Sequence, residues 1–397
     1  MPDVAFCSVG LPDPTQGGSG IFNYLVPKYL LERGVSVRAW FRYPDWFAGA
    51  ARPQYLEELE RLGLEAEHAV ATPSPDAFGL GLIERNHQVV LCREIVERER
   101  AALESADAVI SLDLGWALAL APVDRPHVAV LGDPQERHLA EGFRLDVRSR
   151  ASWRRWLQVQ SLRGVWRRLR PQLEAYDGER RVLGHWSPHH AAELRTVGIA
   201  CRHLQWFTPD PGPVERHPSR DGALVMLHVG ALGTTASRRM LAYWRDALFP
   251  AFATLPFELE IRLVGAGGDD LAGYAQPPNV RLRLLGQLDD VTGEFARAAV
   301  FFTPMKHRTG IRTRVVTALS HAVPVIADET TTLGLPELVD GRDVVYASDA
   351  AAVYAALERM HDEPDWAEAI GAAGRATWER HFDPAQNIPK LTALVGL

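Results

Sequence analysis

The stretch FFTPMKHRTGIRTRVVTALSHAVPVIADETTTLGLPEL, residues 301–338, decides the fold. It begins in a buried strand, Val300 to Thr303, whose apolar run fits a parallel sheet covered on both faces. A polar loop follows, with Lys306, His307, Arg308, Thr309 and Gly310. Thr313 to His321 reads as a helix and Val323 to Ala327 as a second apolar strand, and a Gly/Thr-rich turn with Gly334 closes the unit. The pattern predicts a βαβ unit with a cationic loop at a helix N-terminus. Main-chain N–H groups point outward there, and the helix dipole favours anions. Arg308, Arg312 and Arg314 add full positive charge. In such sheets the ligand lies beyond the carboxyl ends of the strands, so the junction reads as a phosphate site. The competing reading of any single arginine is a solvated helix face. Three arginines, two threonines and a glycine in one short junction favour the site.

Working outward, both halves of the chain alternate strand and helix. Val4–Val9 is a buried strand, Ile21–Arg33 a helix closed by Gly34, and Val35–Phe41 the second strand. Ala108–Ser111, His127–Leu131 and Val182–Trp186 are short apolar runs that fit parallel strands. Ser187-Pro188 starts a helix over His189–Val197, and a long helical segment spans about 150–176, with a kink expected at Pro171. FTPDPGPVERHPSRDG, residues 207–222, holds four prolines and two glycines and marks a domain boundary. The alternation resumes from Leu224 to about His361. The expected fold class is α/β, with two doubly wound, Rossmann-like domains facing a cleft, over 1–209 and 220–380.

Composition narrows the function. A chain of 397 residues is too long for one core, so ~2 domains are expected. Apolar content of 47% and charged content of 23% are ordinary for a soluble globular protein. The net charge of −7 argues against nucleic acid as a partner. Cys7, Cys92 and Cys201 lie far apart and form neither a metal pattern nor a disulfide framework, which fits a reducing compartment. MPDVAFCSVG carries no basic segment before its apolar run, and no apolar stretch reaches ~18 residues. A cytoplasmic protein is expected, membrane-peripheral at most. No carboxylate cluster calls for Mg²⁺, so neither a metal nor a resident cofactor is expected.

Four further motifs carry candidate chemistry. PTQGGSGIFN, residues 14–23, follows the first strand and opens a helix; Gly17, Gly18 and Gly20 let a ligand approach the backbone, or simply make a tight turn. It is not G-x-G-x-x-G, and no acidic residue ends the second strand, so a dinucleotide is disfavoured. LHVGALGTTASRR, residues 227–239, is strand, loop and helix start, with Gly230, Thr234, Thr235, Ser237, Arg238 and Arg239 placed for phosphate or for plain N-capping. PHVAVLGDPQERH, residues 126–138, places Asp133 at a strand's carboxyl end, with His138 beyond it; Asp before Pro is also a common turn former, and Asp113 after VISL is weighed the same way. Residues 144–181 hold eleven arginines with Trp153, Trp156 and Trp166, beside an apolar stripe of Leu162, Val165, Trp166, Leu169 and Leu173. That is a helix packed on its own domain, or a basic surface that meets anionic lipid or a phosphorylated acceptor.

The pattern G-x-x-x-[KR]-x-x-x-A-x-x-x-x-x-P-V, carried by Gly310, Arg314, Ala318, Pro324 and Val325, resembles the nucleotide-sugar-binding segment of retaining GT-B glycosyltransferases of family 4, the group 1 kind. LHVGALGTTASRR, IRLVGAGG (261–268), NVRLRLLGQLDDVTGEFARAAVFFTP (279–304) and GLPELVDGRDVVYASDAAAVYAAL (334–357) are similar to the rest of that donor domain, in order. The resemblance implies a transferase that moves a sugar from a nucleoside diphosphate sugar to an unidentified acceptor with retention. It implies diphosphate contacts from Gly230, Arg238, Arg308, Thr309, Gly310, Thr313 and Arg314, and catalytic or sugar contacts from Asp133 and His138. Gly17, Gly18 and Gly20 would face the cleft, and a last helix, 381–397, would cross back to the first domain. The chain departs from the family in two places. Ala231 stands where an arginine usually follows the glycine, and Thr309 and Thr317 stand where the E-x7-E glutamates would fall. A sugar phosphorylase, an epimerase or a non-catalytic binding protein on the same fold therefore remain as alternatives.

Overall fold

The computed structural model describes residues 1–15, 17–44, 53–71, 87–132, 164–218, 222–233, 235–268, 271, 273–304 and 310–397. Within it the chain divides into two units: Met1–Trp206 with Pro384–Leu397, and Phe207–Asp383.

The first unit is built on seven parallel strands: β1 (Asp3–Val9), β2 (Ser36–Pro44), β3 (Glu65–Ala71), β4 (Ala108–Leu112), β5 (His127–Leu131), β6 (Arg181–His185) and β7 (Arg202–His203). Their order is β3-β2-β1-β4-β5-β6-β7. The described helices are α1 (Gly18–Leu31), α2 (Pro53–Arg61), α3 (His87–Arg98), α4 (Arg100–Ser105), α5 (Leu114–Ala119), α6 (Val165–Leu173) and α7 (Pro188–Thr196). Every residue of β4 and β5 is buried, as apolar runs between two helical layers require.

The second unit holds β8 (Leu224–Val229), α8 (Thr235–Tyr243), α9 (Phe249–Phe252), β9 (Leu259–Val264), β10 (Val280–Gly286), α10 (Thr292–Arg297), β11 (Val300–Thr303), α11 (Thr313–Ser320), β12 (Val325–Ala327), β13 (Val345–Tyr346), α12 (Ala350–Asp362) and α13 (Pro364–His381). Its strands are parallel, in the order β10-β9-β8-β11-β12-β13. Trp244, Phe249, Phe252 and Phe302 fill the core beneath β8 and β11, with Trp244 edge-on to Phe302 at 5.2 Å. Each such ring contributes roughly 1.5–3 kcal/mol by burial, so the loops at the strands' carboxyl ends hang from a rigid base. Both sheets are doubly wound, and strand order reverses between β1 and β4 and between β8 and β11. Those reversal points are where doubly wound sheets open a ligand crevice.

Three local expectations change. The first helix starts at Gly18 rather than Ile21, because the first-turn N–H groups need no intrahelical acceptor and glycine meets no steric bar there. In 150–176 the described helix is α6, entered through Gly164 at φ 69° and continued by a 3-10 turn at Glu174–Tyr176. Pro171 lies inside α6, two residues before its end; residues 133–163 are outside the described part. Finally, the Pro-rich link belongs to the second unit as far as His217. Arg216 Nη1 and Nη2 donate to Ala322 O and Ala298 O, each at 2.6 Å, and His217 N to Ala296 O at 2.8 Å. Trp378 Nε1 donates to Thr208 Oγ1 at 2.8 Å, and Thr208 N to Phe382 O at 3.3 Å. The chain's two passages between units, at 206/207 and 383/384, thus start side by side. α14 (Pro384–Ala393) clusters with the first unit and lies against α1.

Candidate functional site

In the second unit the site forms where β8 and β11 end. β8 finishes as His228-Val229-Gly230. Gly230 has φ 148°, and its N–H donates to Val264 O at 2.9 Å. A Cβ there would fall 2.7 Å from Arg314 Cζ, so only glycine lets that guanidinium lie against the loop. From the other side, Gly310 turns the chain at φ 67° into α11. Gly334 presses on it: a Cβ at Gly334 would meet Gly310 O at 2.6 Å. Arg312 is the N-cap residue of α11, Thr313 its first and Arg314 its second helical residue.

Arg314 Nη1 donates to His228 Nε2 at 3.0 Å, and His228 Nδ1 donates to Phe302 O at 2.8 Å. This fixes the tautomer, with the proton on Nδ1 and the lone pair on Nε2. His228 is wholly inside the protein; burial, and secondarily the charge of Arg314, push its pKa down to about 3, so it is neutral. Arg314 is half-buried by surface area, yet it is enclosed enough that burial, with the charge of Arg312, lowers its pKa to about 10. It remains a cation at neutral pH. Among the described residues no carboxylate pairs with it. A half-buried guanidinium beside the N-terminus of α11, with no carboxylate partner among the described residues, has the chemistry to receive an anion. At the end of β11, Thr303 is almost fully buried and its Oγ1 has no partner among the described residues; the same holds for Thr331 Oγ1 in the 3-10 turn after β12.

Of the sequence candidates, Gly230, Gly310, Thr313 and Arg314 come together here. Arg308 and Thr309 lie outside the described residues, as do Asp133 and His138 and the side chain of Arg238. Thr317, at the second glutamate position, turns its hydroxyl onto Thr313 O at 3.1 Å. His228 was not singled out in the sequence. Its signal was a polar side chain inside an apolar strand, two residues before the loop glycine.

The first unit has its own loop at the reversal between β1 and β4. Gly17 is the N-cap of α1 at φ 88° and supplies no side-chain cap, while Gly18 and Gly20 lie in the first turn. Asn23 braces the loop: its Nδ2 donates to Val9 O at 2.9 Å and Gly10 O at 3.1 Å, and Ser8 Oγ donates to its Oδ1. After β4, Asp113 sits at φ 101°, strained for a non-glycine residue. Its Oδ1 accepts from Gly115 N at 2.7 Å and from Nη2 of the buried Arg42 at 3.1 Å.

Residues 223–363 match the family model described as "Glycosyl transferases group 1". No curated protein matches the chain significantly. Solved structures align over almost its whole length. Sucrose-phosphate synthase from Thermosynechococcus elongatus aligns with TM-score 0.66 at 15% identity, covering 99% of this chain and 98% of that one. Anabaena HepE in complex with UDP-glucose aligns with TM-score 0.63 at 13% identity, covering 99% and 100%. The lipopolysaccharide outer core galactosyltransferase WaaB aligns with TM-score 0.61 at 12% identity, covering 99% of each. At these identities the likeness shows the fold. The chain therefore has the two-domain GT-B fold, and residues 223–363 of its second unit match the group 1 glycosyl transferase model.

Proposed function

We propose that the protein transfers a sugar from a nucleoside diphosphate sugar to an acceptor, with retention at the anomeric carbon. The observation that carries this reading is the unneutralised Arg314, oriented by neutral His228 at the β8/β11 reversal and lodged against Gly230. The leaving group of such a transfer is a diphosphate, whose charge grows as the glycosidic bond breaks. A cation fixed in advance stabilises that charge without reorganising during the step. Arg314 and the first N–H groups of α11 take this role, with Arg308, Thr309 and Arg238 as further contacts. No obligatory metal enters the donor chemistry in this reading. Asp133 and His138 are the proposed sugar or acceptor contacts, and the Gly17–Gly20 turn offers main-chain N–H groups from the first unit.

The test is thermal unfolding with UDP, GDP, ADP and TDP. UDP comes first because HepE structures contain UDP or UDP-glucose. A ligand that binds only the folded state adds about 2.7 kcal/mol at a hundredfold excess over Kd. If no nucleoside diphosphate raises the melting temperature, the reading fails. Threonines at both glutamate positions, with the Thr317 hydroxyl committed to its own helix, also support a second reading: a binding protein without turnover. Slow release of nucleoside diphosphate from the matching sugar nucleotide, without acceptor, supports the transferase. Binding without any release supports the second reading.

A further inference from the structure

We propose that the first unit holds a site for a divalent late transition ion of the Zn²⁺ class on α7, formed by His189, His190 and Glu193. Ser187 and Pro188 fix the start of this helix, and Ser187 Oγ accepts from His190 N. His189 and His190 are therefore both in the first turn, and Glu193 returns beneath them one turn later. Glu193 spans the two rings: Oε1 lies 3.3 Å from His189 Nε2 and Oε2 lies 3.0 Å from His190 Nδ1. The three donor atoms all lie within 4.8 Å of one another. A tetrahedral ion with bonds of 2.0–2.2 Å needs its ligand atoms about 3.4 Å apart, so small side-chain rotations close the set.

The surroundings suit the chemistry. His190 is buried, and its ring packs edge-on against His185 at the end of β6, centroids 5.1 Å apart, which limits its rotation. His189 and Glu193 are half-buried, so an ion can enter from solvent. The Glu193 carboxylate offsets part of the charge of the ion. Two imidazoles and one carboxylate select Zn²⁺, Co²⁺ or Ni²⁺ over Mg²⁺ or Ca²⁺. Three protein ligands leave a coordination position for water or an anionic group. The site lies within the first unit and does not rest on the transferase reading.

The experiment uses the full chain after chelator treatment, titrated with Co²⁺ and followed by visible absorption, then by Zn²⁺ competition. The expected result is one equivalent of Co²⁺ with ligand-field bands, displaced by Zn²⁺ and binding more weakly at acid pH as the rings protonate. Glu193→Gln and His189→Ala should each weaken binding by more than the roughly 10–100-fold typical of outer-shell changes, with metal-free melting temperatures close to wild type. No saturable binding by the wild type, or equal affinity in both folded variants, would overturn the proposal.

Discussion

Arg314 Nη1 rests 3.0 Å from His228 Nε2, so a buried, neutral imidazole acts as the acceptor that aims a guanidinium. The order of the contacts matters. Phe302 O takes the proton of His228 Nδ1, which leaves only a lone pair facing Arg314. A carboxylate in that place would neutralise the arginine; a histidine holds it without removing its charge.

Arg314→Ala should therefore weaken nucleoside diphosphate binding and leave the fold intact. A charge-assisted bond is worth roughly 1.5–3 kcal/mol, or about 10–150-fold in affinity. Titration calorimetry decides it. Affinity within about twofold of wild type would remove Arg314 from the diphosphate site.

Gly230→Ala tests the same contact from the loop side. Its Cβ would fall 2.7 Å from Arg314 Cζ, and φ 148° is itself unfavourable for alanine. The variant should lose nucleotide affinity by displacing the guanidinium. With Arg314→Ala already present, the glycine change should cost much less affinity, which a double-mutant cycle measures as coupling of at least about 0.5 kcal/mol. Additive losses would mean that the loop, not the arginine, makes the contact.

How much of this was legible in the sequence depends on which force sets each feature. β5 was readable to the residue, His127–Leu131, because a fully buried strand must be an uninterrupted apolar run. Gly310 was readable because a turn at φ 67° into a helix favours glycine, and the place of Arg314 in the first turn of α11 because it follows that turn at a fixed spacing. The fit of Gly230 to Arg314 was not, since the two are brought together by strand order across 84 positions of sequence. The same holds for His228 and Phe302 O: tertiary pairing supplies an acceptor that no local pattern announces. The Pro-rich link misled in part, because composition signals a turn-rich segment but not that Arg216 would pin it to two carbonyls of the second unit.

Acid should destabilise the protein through its buried histidines. His228 falls from its ordinary value near 6.5 to about 3, and His321 to about 4, in each case first through burial. The folded state therefore binds fewer protons than the unfolded state in this range. Stability is present above about pH 6.5 and is lost as pH falls toward 4 and 3. In urea unfolding at a series of pH values, His228→Gln should lower the slope by about one proton, about 1.4 kcal/mol per pH unit. An unchanged slope would mean that His228 is not the buried neutral base described here.

Ala322 gives a test in the opposite direction. It follows α11 at φ 52°, the left-handed conformation that alanine adopts at a cost of roughly 1–2 kcal/mol. Its carbonyl accepts from Arg216, and Gly371 lets that carbonyl approach, since a Cβ there would lie 2.2 Å away. The conformation is thus held from outside. Ala322→Gly should relieve the strain and, after glycine's own entropy cost, stabilise the protein by about 0.5–1 kcal/mol. A lower melting temperature would show that the methyl group contributes more by packing than the backbone loses.

The basic segment near residue 170 allows a test of contact with anionic lipid. On α6, Val165, Leu169 and Leu173 are buried in the core of the first unit, while Arg167, Arg168 and Arg170 are exposed. Those three apolar side chains are already covered and do not insert; Trp166 is half-buried, and Leu162 lies outside the described residues. Any contact the three arginines make with anionic lipid is electrostatic, worth about 1 kcal/mol per arginine near the surface, and it works against a net charge of −7. Cosedimentation with anionic vesicles should therefore be weak, confined to low salt, and gone by about 0.1 M, where the Debye length is ~10 Å. Replacing Arg167, Arg168 and Arg170 with glutamine should weaken the part of it that comes from α6. Sedimentation that persists in high salt would require apolar insertion, and these three side chains of α6 do not offer it.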